Sequence, residues 1–157
     1  MKEKKPNQAL ILVMLCLLAG TLDALAAMLI SYKVSPGIIF RFIASGWFGK
    51  AAFTGGNSMV LWGLFFHYII ASCWGIAWFL LYPTAIKIFR NKYVTGVIYG
   101  LVTWIIMNQV VLRLSNIPHS NKPVNLVNLA EGIAALIFCI GIPAALIANR
   151  YYSKVRR

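Results

Sequence analysis

The sequence predicts an all-α integral membrane protein: four transmembrane helices, with an interfacial or re-entrant segment between the first and the second. Three observations predict it. The 157 residues are 61% hydrophobic and 11% charged, against about a quarter charged in an ordinary soluble domain. Four apolar runs, at about 9–30, 59–86, 94–112 and 126–148, each reach the roughly 20 residues needed to cross a hydrocarbon core. The 15 Lys and Arg residues, against 3 Asp and Glu, gather outside those runs. This composition excludes an ordinary soluble domain and a disordered chain. Residues 1–157 read as a single transmembrane domain, because the segments between the runs are too short to hold a second, soluble one. The spans read as helices, because every backbone polar group inside lipid must be bonded within the chain.

The first run, Ala9 to Ile30, follows Lys2, Lys4 and Lys5 and contains Ala24-Leu25-Ala26, the outline of a secretory signal. It continues through Met28-Leu29-Ile30, beyond a usual signal core of about 7–15 residues, and Asp23 is foreign to such a core. The run is therefore expected to remain as a span. The outer segment 36–58 is too apolar for a plain loop. A helix over about 37–44 is expected, then a Gly-rich break. Arg41 and Lys50, nine residues apart, would face opposite ways on one straight helix, so a bend falls near Ser45-Gly46 or Gly49. Gly55-Gly56 frees the chain to turn into the second run. That run, 59–86, contains Pro83, expected to loosen its end. A tight turn over Lys87–Tyr93 leads to the third run, 94–112, and a loop over Arg113–Asn125 leads to the fourth, 126–148, which Pro143 is expected to kink.

Orientation follows from the basic residues. With both termini cytoplasmic, the inside holds Lys2, Lys4, Lys5, Lys87, Arg90, Lys92, Arg150, Lys154, Arg156 and Arg157. The outside holds Lys33, Arg41, Lys50, Arg113 and Lys122. The inner set is twice as large and sits in shorter segments, as the positive-inside rule requires. The net charge of +12 thus reports topology, and no nucleic-acid partner is expected. Trp47 and Trp62 fit an outer aromatic belt, and Tyr82, Tyr93, Tyr151 and Tyr152 an inner one. Trp74, Trp78 and Trp104 lie deeper and read as packing residues. Cys16, Cys73 and Cys139 fall one each in three spans with no C-x-x-C pair, so neither a disulfide framework nor a metal site is expected.

Polar side chains inside spans are costly, and they face the bundle or water. Here they are Asp23, His67, Asn108, Gln109 and Glu131. With a rise of 1.5 Å per residue, Asp23 lies about 10 Å, His67 about 12 Å, and Asn108 and Glu131 about 7 Å inside the outer ends of their helices. The spans alternate in direction, yet all four groups fall in the outer half. Each also shares a stripe with small residues: Cys16, Ala19, Gly20, Asp23 and Ala27 on the first; His67, Ala71 and Gly75 on the second; Gly96, Gly100, Trp104 and Asn108 on the third; Asn128, Glu131, Ala135 and Phe138 on the fourth. Gly96 and Gly100 form a close-packing signal. A candidate intramembrane polar cluster of Asp23, His67, Asn108 and Glu131 follows. Two uses are open to it. A histidine beside carboxylates titrates near neutral pH and passes or senses protons. Alternatively, His67 and Asp23 form hydrogen bonds that fix helix packing.

Catalytic signatures are missing: the chain has no Gly-rich phosphate loop, no H-E-x-x-H pair and no Ser or Cys beside a base. His119, between Pro118 and Ser120, reads as a solvated turn residue. No enzyme activity and no cofactor are expected. The expected partners are the bilayer and further copies of the chain, since four helices alone enclose only a narrow path.

Ile43-Ala44-Ser45-Gly46, Gly49-Lys50-Ala51-Ala52-Phe53, Gly55-Gly56 and Leu64-Phe65-Phe66-His67-Tyr68-Ile69-Ile70-Ala71 together resemble a recurring group of uncharacterised bacterial four-span membrane proteins. The motif covers about a fifth of the chain and draws attention to Ser45, Gly46, Gly49, Gly55 and Gly56. A histidine early in the second span and a Gly-rich third span are more loosely similar to the YagU-like inner-membrane family. This chain departs from that family in its shorter loops and in Glu131 at the start of the fourth span. The resemblance implies a bacterial inner (cytoplasmic) membrane location and a link to acid resistance, without a catalytic mechanism. It leaves two classes of function: a proton- or solute-handling protein, or a structural or accessory protein that binds partners through its helices or outer segment.

Overall fold

The computed structural model describes residues 7–118 and 125–155. His119 and Lys122, together with Lys2, Glu3, Lys4, Lys5, Arg156 and Arg157, lie outside the described residues. Five helices follow one another: α1 (Gln8–Ile30), α2 (Pro36–Phe48), α3 (Gly56–Phe89), α4 (Lys92–Leu114) and α5 (Leu126–Val155). Among the described residues there is no strand. Helices α1, α3, α4 and α5 are long and apolar enough to cross a membrane, which is compatible with a multi-pass membrane protein. Their outward surfaces are apolar: Leu29, Leu61, Phe65, Leu80 and Phe138 all stand exposed. Water would penalise such a surface, whereas lipid solvates it.

The helix ends explain why the helices outrun the apolar runs. Asn7, Asn91 and Asn125 each accept backbone N–H bonds of the following first turn through their side-chain oxygen, which satisfies donors that a helix start leaves open. Ser35 precedes α2 with Pro36 at its first position, where a missing N–H costs nothing. Arg90 takes a left-handed conformation, φ 55°, and ends α3. The turn into α4 is therefore only Arg90 and Asn91, shorter than the expected one, and helical bonding continues from the apolar run into its polar flanks. Pro83 does not loosen α3, which runs on to Phe89. One missing N–H is tolerated where neighbouring helices support the backbone. Before Pro143, α5 widens into a π-turn at Ile137–Gly141, and α4 has a second one at Met107–Val111. Inserted residues of this kind bend a helix and re-aim its side chains.

Small residues set the packing. A Cβ on Gly96 would lie 2.8 Å from the Cα of Ile142, and one on Gly100 would overlap the Ile137 backbone. Gly141 faces both glycines from the other side. Helices α4 and α5 thus meet backbone to backbone at the π-turn of α5. Gly20 brings α1 against α3, where a Cβ would sit 2.8 Å from the Tyr68 ring. Gly63 brings α2 onto α3, where a Cβ would overlap the Phe40 carbonyl.

The apolar core fills the half of the bundle away from α2 with Leu15, Ala19, Trp78, Phe79, Tyr82, Tyr99, Ile140, Ala144, Ala145 and Ala148. Its polar atoms are largely paired. The Trp78 indole N–H donates to Thr103 Oγ1 (2.7 Å), Thr103 donates to the Tyr99 carbonyl (2.8 Å), and the Tyr82 hydroxyl donates to Asn149 Oδ1 (2.8 Å). Trp78 stacks on Tyr99 at 4.2 Å. Tyr82 is therefore a buried core residue, 2% exposed, and departs from the expected belt position because Asn149 on α5 supplies its hydroxyl with a partner.

Helix α2 extends to Phe48, past the expected end at residue 44, and the break falls at Gly49, whose φ of 59° and ψ of −143° suit only glycine. A short 3₁₀ turn over Gly49–Phe53 follows. Gly56, at φ 65°, then starts α3. Phe48 packs on Trp62 and Phe66, and Trp47 on Phe66, which anchors α2 across the first turns of α3.

Candidate functional site

The end of the bundle under α2 is hollow where the opposite end is filled. The first cavity, of about 240 Å³, is bounded by all five helices. Its polar wall is Asp23 from α1, His67 and Trp74 from α3, Thr103 from α4 and Ser115 just beyond α4. The remaining lining is apolar, with Phe42, Ile43 and Gly46 of α2 forming one side. Asn116 ties that side to the segment beyond α4: its backbone N–H donates to the Gly46 carbonyl (3.0 Å), and its side-chain Nδ2 donates to the Trp47 carbonyl (3.0 Å). Ser45, fully buried, donates to the Phe42 carbonyl (2.6 Å). Arg41 Nε reaches the Gly56 carbonyl (3.3 Å) and so ties α2 to the start of α3.

His67 is 7% exposed, and its Nε2 lies 2.8 Å from the Gly20 carbonyl oxygen. A carbonyl only accepts, so Nε2 carries the proton. In the neutral ring the base is then Nδ1. The close approach at Gly20 makes this bond possible, since a side chain there would displace the neighbouring Tyr68. Tyr68 itself shares a hydrogen bond with Thr21 Oγ1 (2.9 Å). The Phe40 ring stands edge-on to the imidazole at 6.3 Å. Asp23 lies about one helical turn beyond Gly20 on the same stripe, toward the hollow end. Among the described residues, no hydrogen bond reaches its carboxyl group.

A second hollow of about 630 Å³ lies between α1, α4 and α5. Asp23 lines it too. The wall opposite is polar: Asn108, Gln109 and Arg113 on α4, with Asn125 and Asn128 at the start of α5. The π-turn at Met107–Val111 splits its side chains between the two hollows, with Met107 and Val111 in the first and Asn108 and Gln109 in the second. Asn108 Nδ2 donates to the Trp104 carbonyl (2.9 Å), so part of its bonding capacity is spent on its own helix.

The four residues expected to cluster are therefore divided. Asp23 meets His67 across the first cavity and Asn108 across the second. Glu131 lines neither and is exposed. Its expected stripe, with Asn128, Ala135 and Phe138, is displaced: the face turned to the second hollow carries Asn128, Gly132 and Ala135, while Phe138 is 68% exposed. Three residues advance a helix by 300°, so Glu131 sits 60° away from Asn128 and falls off the inward face. Sequence reasoning did not single out Thr103, Ser115 and Arg113 as site residues. Thr103 and Ser115 give no signal, being ordinary helix and loop residues, and Arg113 stood among the outer loop charges. Among the described residues, no group of three or more His, Cys, Asp or Glu is placed to hold a metal ion.

Fold and site together define a bundle of four helices able to cross a membrane, roofed by a shorter helix, with a carboxyl group and an imidazole on a shared cavity. Comparison with protein-family models, curated proteins and solved structures finds no match for the chain.

Proposed function

We propose that this chain is a multi-pass protein of the bacterial inner (cytoplasmic) membrane, with both termini cytoplasmic, and that Asp23 and His67 handle protons or a small solute in its outer half. The observation that carries this reading is the double position of Asp23. Its side chain is common to an apolar cavity that holds His67 and to a polar hollow that holds Asn108, Gln109 and Arg113. Intramembrane carboxylates and histidines mark proton and ion paths, and a group shared by two compartments is where a proton changes hands. The likeness to the YagU-like family adds an acid-stress setting. A homo-oligomer widens the path beyond what four helices enclose.

The test is flux. Proteoliposomes of the wild-type chain are expected to dissipate an imposed pH gradient faster than empty liposomes, and Asp23→Asn and His67→Ala, purified and folded, to lose the excess. Wild-type vesicles as tight as empty ones reject the reading.

One contact favours a second reading. The bond from His67 to the Gly20 carbonyl joins α1 to α3 and serves packing by itself. On this reading the chain is a structural or accessory membrane protein that binds partners through its helices or α2. Crosslinking in cells then recovers a defined partner, and the gradient is untouched.

A further inference from the structure

On the inner half, α1 and α5 leave a groove of about 260 Å³ between them. Its floor is apolar: Ile11 and Met14 from α1 and Ile147 from α5. Arg150, Tyr151 and Lys154 close its inner end. Ile147, Arg150 and Lys154 are spaced by three and four residues, so they form one stripe of α5, apolar outward and cationic inward. The Tyr151 hydroxyl donates to Gln8 Oε1 (3.2 Å) and pins the inner ends of the two helices at this groove.

The charges here lack an answer within the described chain. Arg150 and Lys154 are exposed like charges one turn apart, an arrangement that repels by a few tenths of a kcal/mol. No carboxylate lines the groove, and the described acids, Asp23 and Glu131, both belong to the outer half. An anion between the two cations relieves the repulsion. A free anion would leave the apolar floor unused, whereas an acyl chain covers it.

We propose that this groove is a binding site for one anionic phospholipid, its phosphate held by Arg150 and Lys154 and an acyl chain laid along Ile11, Met14 and Ile147. The proposal rests on the chain spanning a bilayer and not on proton handling at Asp23, so a protein that leaves pH gradients intact leaves it standing.

Native mass spectrometry of the full chain in neutral detergent, titrated with phosphatidylglycerol or phosphatidylcholine, tests it. The wild type is expected to prefer phosphatidylglycerol. Arg150→Gln with Lys154→Gln is expected to weaken that lipid by about twenty-fivefold, two cationic contacts each worth about fivefold. Lys87→Gln with Lys92→Gln removes the same charge from the α3–α4 turn and should leave the preference in place. Met14→Trp fills the groove from an exposed position, 61% open, keeps both cations, and should also displace the lipid. Equal affinity for the two lipids in the wild type overturns the proposal. So does an equal loss in the Lys87 and Lys92 pair, or unchanged binding in Met14→Trp.

Discussion

At the scale of single residues, His67 and Asp23 invite opposite treatments. His67→Ala removes a buried hydrogen bond and the packing on Phe40, and is expected to cost about 1–3 kcal/mol, read as a lowered thermal midpoint in detergent. His67→Gln keeps a side-chain N–H donor but has no titratable ring. It should hold most of the stability while losing gradient dissipation. A Gln variant with wild-type flux would assign His67 to packing alone. Asp23 has no hydrogen-bond partner among the described residues, and a carboxylate shielded from water is penalised unless paired. Asp23→Asn should therefore melt at or above the wild-type temperature while flux falls. Asp23 and His67 were legible as candidates because polar residues stand out in an apolar run. Their separation from Glu131 was not, because a 60° rotation on one helix is smaller than the width of an apolar stripe read from a sequence.

At the scale of elements, the glycines form a graded series. Gly100→Leu drives a side chain into the Ile137 backbone, where nothing flexible can yield, and should destabilise by at least the ~1–3 kcal/mol typical of overpacking. Gly63→Ala should act similarly on the α2–α3 contact, since the neighbour there is the Phe40 carbonyl. Gly56→Ala is the contrast. No atom lies within 4 Å of the added Cβ, so only the left-handed backbone, φ 65°, resists it, at about 1–2 kcal/mol. Thermal unfolding of the three variants in one detergent checks the order. Helices and their approximate ends were readable from the apolar runs, and Gly96 and Gly100 from their spacing. The π-turns in α4 and α5 were not. The one in α5 falls where Gly100, Ile137 and Gly141 press two backbones together, a contact between residues distant in sequence.

At the scale of the whole molecule, the bundle is filled with aromatic and small side chains at one end and hollow at the other. Both described carboxylates lie toward the hollow end, and the Arg150–Lys154 pair toward the filled one. The topology proposed from the basic residues places the hollow end outward. A reporter fused after Arg157 is expected to be active only when retained in the cytoplasm, and a periplasmic signal would invert the orientation of both hollows and of the lipid groove. Helix α2 covers the first cavity, while the second hollow lies clear of it. Releasing it, for example with Gly63→Ala, should make a cysteine placed at Thr103 react faster with a water-soluble thiol reagent.

The sequence by itself determined an all-helical chain, the number of membrane-capable helices and a glycine break after α2, with Gly49 as one of two candidate places, because hydropathy, span length and glycine's access to positive φ are local properties. It also determined that the few acids inside spans would have to be accommodated, since their cost in lipid does not depend on the fold. The tertiary structure alone decided which polar groups meet. Whether Asp23 faces one hollow or two, and whether Glu131 faces any, depends on helix rotation and on where α2 lies, and both follow from close backbone contacts between residues far apart in the chain.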